Sequence, residues 1–193
     1  MAQNSNQNIW QTDIQDWTKV EPDTANFYIS QAESRLKETT DTYNLTSTRT
    51  ENYLTLVTAI LTGAIGYMFA GEKPFLQAVS AFAILPTLFA IVYLAKNLTQ
   101  FTVYTVGDEP RAIYTTEFVD RFSGEKQYLN LVHYTMITLQ FKIDENHKTN
   151  EYRIKNNARA RFALSTVPLA FLAGAIYQYF CGYQLVWSLS LPY

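Results

Sequence analysis

The sequence predicts an all-α integral membrane protein: three transmembrane helices, two of them extended into a cytoplasmic helical region, in a chain expected to self-associate. Two observations predict it. Tyr53 to Gly71, Pro74 to Ala95 and Phe162 to about Tyr183 carry no charged side chain. At 1.5 Å per residue each can cross a hydrocarbon core of roughly 30 Å, where a free backbone amide finds no partner outside its own helix. Second, the basic residues are partitioned. Lys19, Arg35, Lys37 and Arg49 precede the first stretch, Lys73 lies between the first two, the rest fall from Lys96 to Arg161, and none follows.

Averages conceal this pattern. The mean hydropathy is -0.12 and the formal net charge of the 193 residues is -2, because the polar half of the chain offsets the apolar stretches. The near-neutral balance argues against direct nucleic-acid binding. The length leaves room for one membrane unit and one small polar region. Residues 1–22 read as a flexible arm with a short amphipathic segment, and 23–98 as a cytoplasmic helix plus a transmembrane hairpin. Residues 99–161 read as a cytoplasmic helical region, and 162–193 as a third transmembrane helix with a short outer tail.

The opening Met1-Ala-Gln-Asn-Ser-Asn-Gln-Asn has neither the basic start nor the apolar core of a secretory leader, so the first span is expected to act as the insertion signal. Basic flanks resist translocation. The N-terminus and both large polar regions are therefore expected in the cytoplasm of a bacterial inner membrane, with the tail outside and its Tyr183, Trp187 and Tyr193 at headgroup level.

In the arm, Ile9, Trp10, Ile14 and Trp17 fall at i, i+1, i+5 and i+8, which places the two tryptophans close to one helical face. They either lie on the membrane surface or pack on the rest of the cytoplasmic region. After Pro22, with Asp23 as expected N-cap, Phe27, Ile29, Ala32, Leu36 and Tyr43 make a sparse apolar stripe. No Gly or Pro interrupts Thr24 to Ala70, so this helix is expected to enter the first span unbroken, as a stalk of about 40 Å. Phe101 to Val106 alternates like a strand but is isolated, and reads as a frayed end or an interfacial turn. Asp108-Glu109-Pro110 is a helix start, and Ser123-Gly124 should end that helix. From Glu125 a long helix carries Tyr128, Val132, Met136, Leu139 and Ile143 on one face and should run past Arg161 into the third span. Pro86 and Pro168 are candidate kinks.

Little here points to catalysis. The two histidines, His133 and His147, fall on an amphipathic and a polar stretch. Neither metal-binding His pairs, a phosphate-cradling glycine loop nor a nucleophile elbow occurs. No enzymatic activity, cofactor or metal is expected. Cys181 is the single cysteine, which precludes an intrachain disulfide and suits a membrane packing position. The sequons Asn44-Leu-Thr46 and Asn97-Leu-Thr99 matter only in a secretory pathway.

Two faces stand out. Thr55, Ala59, Thr62, Gly66 and Ala70 place small residues along one side of the first span, and Ala170 and Gly174 repeat the pattern in the third. Such stripes let helices approach closely where lipid removes the hydrophobic drive. They serve either an oligomer interface or packing within one subunit. Asn146, Asn150, Arg153, Asn157 and Arg161 form one polar face before the third span, with Lys148, Lys155 and Arg159 beside it. This face either lines a vestibule or anionic-signal site, or is a solvated helix surface whose charges set topology. The spans hold no Asp, Glu, Lys, Arg or His, which weakens proton-relay and voltage-sensor readings.

The layout of Ser34-Arg-Leu-Lys running to Thr48-Arg-Thr-Glu-Asn-Tyr-Leu54, two spans with a tight loop, and a return helix Gln140-Phe-Lys-Ile-Asp-Glu-Asn146 with Asn150 and Tyr152-Arg-Ile-Lys-Asn156 before another span resembles small bacterial membrane effectors. These are the SLATT and Pycsar-type proteins of anti-phage defence, and the likeness covers about Thr24 to Tyr179. It implies an oligomeric inner-membrane effector that perturbs or permeabilises the bilayer on a cytoplasmic signal. Its partners would be the lipid bilayer, further copies of itself, and a sensor protein or nucleotide second messenger. Two other readings stand beside it: a non-conducting membrane scaffold that recruits a cytoplasmic partner, and a small ion channel.

Overall fold

A computed structural model describes residues 14, 16–70, 74–99, 101–107 and 124–189. The described residues are helical, with no strand among them. A 3-10 turn at Trp17–Lys19 precedes α1 (Pro22–Ala70), α2 (Pro74–Ala95), α3 (Glu125–Ser165) and α4 (Val167–Leu189). The expected helix after Pro110 and the arm residues Ile9 and Trp10 lie outside the described residues.

α1 starts one residue earlier than its expected cap. Pro22 takes the first helical position, which suits its fixed φ and missing N–H, and Asp23 sits in the first turn where its charge complements the dipole. The Ala25 amide closes onto the Glu21 carbonyl at 2.9 Å. From there the helix is unbroken to Ala70.

The return helix does break. α3 ends at Ser165 and α4 begins at Val167, just before Pro168, which has no N–H and disfavours helical geometry in the residue ahead of it. The Thr166 hydroxyl donates to the Ala163 carbonyl at 2.7 Å, and the Ala170 amide donates to the Thr166 carbonyl at 2.9 Å, so the chain recovers at once. Pro86, by contrast, stays inside α2.

The chain divides into two compact units. The first comprises Met1–Asn44 and Phe101–Asn150, the second Leu45–Gln100 and Glu151–Tyr193. In the first unit, the Tyr128 hydroxyl donates to Asn26 Oδ1 at 2.5 Å and Asn146 Nδ2 donates to Thr39 Oγ1 at 3.1 Å. Both partners ascend together, so α1 and α3 run parallel there. In the second unit Arg153 reaches Ser47 and Thr50 reaches Asn157, again both ascending.

The pairing has coiled-coil periodicity. Residues 25, 29, 32, 36, 39, 43, 46, 50, 53, 57, 60 and 64 of α1 alternate at three and four, and each is buried or half-buried. So do 129, 132, 136, 139, 143, 146, 150, 153, 157, 160 and 164 of α3. That is the a/d seam of a heptad repeat. A core of Val57, Ala90, Leu94 and Ala160, flanked by Tyr53, Leu54, Ile91 and Leu164, joins α1, α2 and α3 in the second unit.

α2 packs on α4. Gly174 permits this approach: a Cβ there would come 2.7 Å from the Val79 Cα and 3.1 Å from the Ala78 carbonyl oxygen. Phe82 and Tyr177 add a ring contact at 5.7 Å.

Among the described residues three helices are long and apolar enough to cross a membrane, and only 11%, 28% and 17% of their most apolar windows are buried inside the chain. Phe69, Leu85, Phe89, Leu169 and Phe180 all point outward. Uncovered apolar faces on this scale are a liability in water and suit lipid as the solvent.

Candidate functional site

The polar face of α3 is used inside the chain. Asn146, Asn150, Arg153 and Asn157 are 2%, 4%, 3% and 6% exposed, whereas Arg161 is exposed, as are Lys148, Lys155 and Arg159. The four buried residues occupy a or d positions, so they face α1 by periodicity, and α1 meets them with threonines instead of aliphatic residues. Buried amides demand partners, because desolvation without a hydrogen bond costs about 1–3 kcal/mol per group.

In the second unit those partners converge on Asn97, directly after α2. Its Nδ2 donates to Asn157 Oδ1 at 2.8 Å and to the Arg153 carbonyl at 3.1 Å, and its Oδ1 accepts from Asn156 Nδ2 at 3.0 Å. Thr50 Oγ1 donates to Asn157 Oδ1 at 3.1 Å, and Asn157 Nδ2 donates to the Thr46 carbonyl at 3.4 Å. Arg153 Nη2 donates to Ser47 Oγ at 2.9 Å. One side chain at the end of α2 thereby ties α1 and α3 together. Asn97 is 3% exposed, so its sequon is structural and sterically closed.

The first unit repeats the device on a different backbone. Asn146 clasps Tyr104: its Oδ1 accepts from the Tyr104 amide at 2.9 Å and its Nδ2 donates to the Tyr104 carbonyl at 2.8 Å. Thr40 Oγ1 donates to the same carbonyl at 3.3 Å. Lys142 is 8% exposed, and its Nζ donates to the carbonyls of Gly107 at 2.8 Å and Thr105 at 3.3 Å. The strand-like 101–106 stretch is therefore a strap without regular secondary structure, held by side chains of α1 and α3. Asn150 Nδ2 donates to the Thr39 carbonyl at 2.8 Å, while its Oδ1 is buried with no hydrogen-bond donor on it among the described residues.

Ile14 and Trp17 of the arm pack within the first unit. They line a cavity of about 80 Å³ in the first unit with Tyr28, Leu129, Val132, His133 and Met136. Trp17 stacks on His133 with ring centroids 6.2 Å apart. His147 is exposed, and Glu151 accepts from Lys155 at 2.5 Å.

The small-residue stripe divides. Gly174 is buried against α2 and Ala170 is half-buried. Thr55, Ala59, Thr62 and Gly66 are exposed, and no described residue beyond the helix's own adjoining backbone lies within 4 Å of where a Gly66 Cβ would stand. Ala70 closes the helix that carries them. Cys181, expected at a packing position, is exposed on α4. Among the described residues no group of three or more His, Cys, Asp or Glu side chains is placed to hold a metal ion.

Sequence reasoning passes over Thr39, Thr50 and Lys142 and meets Thr46 and Asn97 only as members of sequons. A signal existed for the threonines: they fall at the heptad positions that continue Ala32 and Leu36, and a hydrophobic count skips them. Compared with protein-family models, with curated proteins and with solved structures, the chain matches none.

Proposed function

We propose that the chain is a membrane effector that assembles from several copies in a bacterial inner membrane and perturbs the bilayer when a cytoplasmic signal arrives, in anti-phage defence. The observation that carries this reading is the uncovered face of Thr55, Ala59, Thr62 and Gly66 on an apolar helix. In lipid, helices gain nothing from hiding apolar area from one another, so association depends on close backbone approach and hydroxyl bonding. A small-residue face that the chain's own described helices leave open supplies that surface for a further copy. The resemblance in layout to small defence effectors supports the same reading. The basic residues flanking the apolar helices support a cytoplasmic N-terminus and an outer C-terminus.

The test is reconstitution. Purified protein in dye-loaded liposomes is expected to release dye, alone or with the product of a neighbouring gene, and its expression during phage infection is expected to arrest growth. Tight vesicles together with stoichiometric capture of a cytosolic protein would overturn the effector reading in favour of a scaffold. Ion-selective currents without a signal would favour an ordinary channel.

Gly66→Leu separates assembly from folding. A Cβ at this position meets no described residue outside its own helix turn, so thermal stability in detergent should change by less than about 0.5 kcal/mol. The oligomer should nevertheless dissociate on size-exclusion with light scattering. An unchanged oligomer would remove this face from the interface.

A further inference from the structure

A second surface of the second unit points to a ligand. Pro86, Phe89 and Tyr93 of α2 and Ala158, Arg159 and Phe162 of α3 line an open groove of about 510 Å³. That falls within the roughly 300–1,000 Å³ typical of small-molecule sites. Its walls are apolar, with Phe89 and Phe162 among the exposed large side chains. Tyr93 lies seven residues from Pro86, and Arg159 seven from Thr166, which also lines the groove. The α2 wall therefore extends about 10 Å along its helix.

One end is charged in a particular way. Lys96 Nζ and Arg159 Cζ lie 5.4 and 5.7 Å from the centroid of the Tyr93 ring. Both side chains are exposed, and neither joins an ion pair among the described residues. Two cations beside one ring, with no described carboxylate paired to either, attract an anion. A guanidinium lying over a ring keeps its edge N–H groups free for the oxygens of a phosphate. A tyrosine of this kind marks headgroup level.

We propose that this groove is a binding site for an anionic phospholipid, with one acyl chain along Phe89 and Phe162 and the phosphate between Lys96 and Arg159. A zwitterionic lipid fills the same apolar groove but carries its own cation to the charged end. A soluble phosphate ester reaches the charged end but leaves the groove empty. Discrimination therefore needs both features, and the occupant is a lipid and not a free metabolite. The inference rests on the membrane reading of the apolar helices, not on assembly or permeabilisation.

The experiment is native mass spectrometry of the full chain released from detergent micelles doped with equal amounts of phosphatidylglycerol and phosphatidylcholine. Wild-type protein is expected to retain phosphatidylglycerol in preference. Lys96→Gln and Arg159→Gln should each reduce that preference about fivefold, the weight of one basic residue near an anionic lipid surface, and the double variant should abolish it. Ala158→Trp, which fills the groove from an exposed position, should lower retention of both lipids while both cations remain. Equal retention of the two lipids by wild type, or an unaltered preference in the double variant, would overturn the proposal. So would displacement of bound phosphatidylglycerol by soluble glycerol phosphate at matched concentration. Protein that stays dispersed in buffer without detergent and ignores vesicles of either lipid would overturn the membrane reading and this site with it. Protein that partitions into both vesicle types but shows no preference overturns this site alone.

Discussion

Asn97 holds together three helices with one amide, and that concentrates the energetic risk in a single position. Replacing it with Leu keeps the branched shape but adds bulk, takes the Asn97 bonds from Asn156 Nδ2 and the Arg153 carbonyl, and leaves Asn157 Oδ1 with Thr50 Oγ1. The expected loss is about 1–3 kcal/mol for each group left without a partner, read as a lower midpoint in denaturant titration of the detergent-solubilised protein. A loss below about 0.5 kcal/mol would mean that water replaces the amide. Asp16 gives a pH test at the opposite extreme of burial. Hydrogen bonds from Thr18, with lesser help from Lys19, hold its carboxyl below the ordinary value of 3.8. A depressed folded value means the turn's support is complete above the unfolded value and is lost as pH falls through the folded one. Fluorescence of a variant retaining Trp17 as its single tryptophan should change with a midpoint below 3.8. In Asp16→Asn that step should vanish. The sequence advertised Asn97 only as half of a sequon, because nothing local tells a buried amide from a solvated one.

Helix pairing depends on where the chain places small and polar residues along a seam. α1 and α3 share a heptad register, and the same offset of 107 residues relates Thr39 to Asn146 in the first unit and Thr50 to Asn157 in the second. An all-aliphatic seam would tolerate sliding by a heptad. Amide–hydroxyl pairs at a and d do not, since a slipped helix buries them without partners. Apolar periodicity revealed half of that seam in advance: Ile29, Ala32 and Leu36 on α1, and Val132, Met136, Leu139 and Ile143 on α3. The other half escapes a hydrophobic count because Asn and Thr score as polar wherever they fall. The two candidate kinks also differ, with Pro86 inside α2 and Pro168 beside the break between α3 and α4. At Gly174 the α2 backbone leaves no space for a side chain. Gly174→Leu is therefore expected to cost about 1–3 kcal/mol or more through overpacking, seen as a lower melting temperature in detergent. Gly66→Leu should spare that temperature, and an equal effect of the two would contradict the packing of α2 on α4.

At the scale of the whole molecule, each unit has its own polar clasp. In the first, Asn146 and Lys142 fix the strap at Tyr104, Thr105 and Gly107. In the second, Asn97 fixes α2 against the α1–α3 pair. Only a minor share of the apolar windows is covered from within, so most of the surface that lipid or another copy would touch belongs to α1, α2 and α4. Opposite outcomes for the Gly66 and Gly174 variants would show that the small-residue stripe of one sequence pattern serves two purposes, assembly on α1 and internal packing on α4.

The order of residues by itself determined three apolar helices and the continuity of α1, because helix length, charge exclusion and the absence of Gly or Pro are local properties that act without knowledge of neighbours. It located α3 for the same reason. Which small residues face a neighbour and which stay open, and whether Asn146, Asn150, Arg153 and Asn157 meet solvent or threonine, only the tertiary structure decided. Those outcomes depend on the rotation and register of one helix against another, and register is set by partners more than a hundred residues away in the chain.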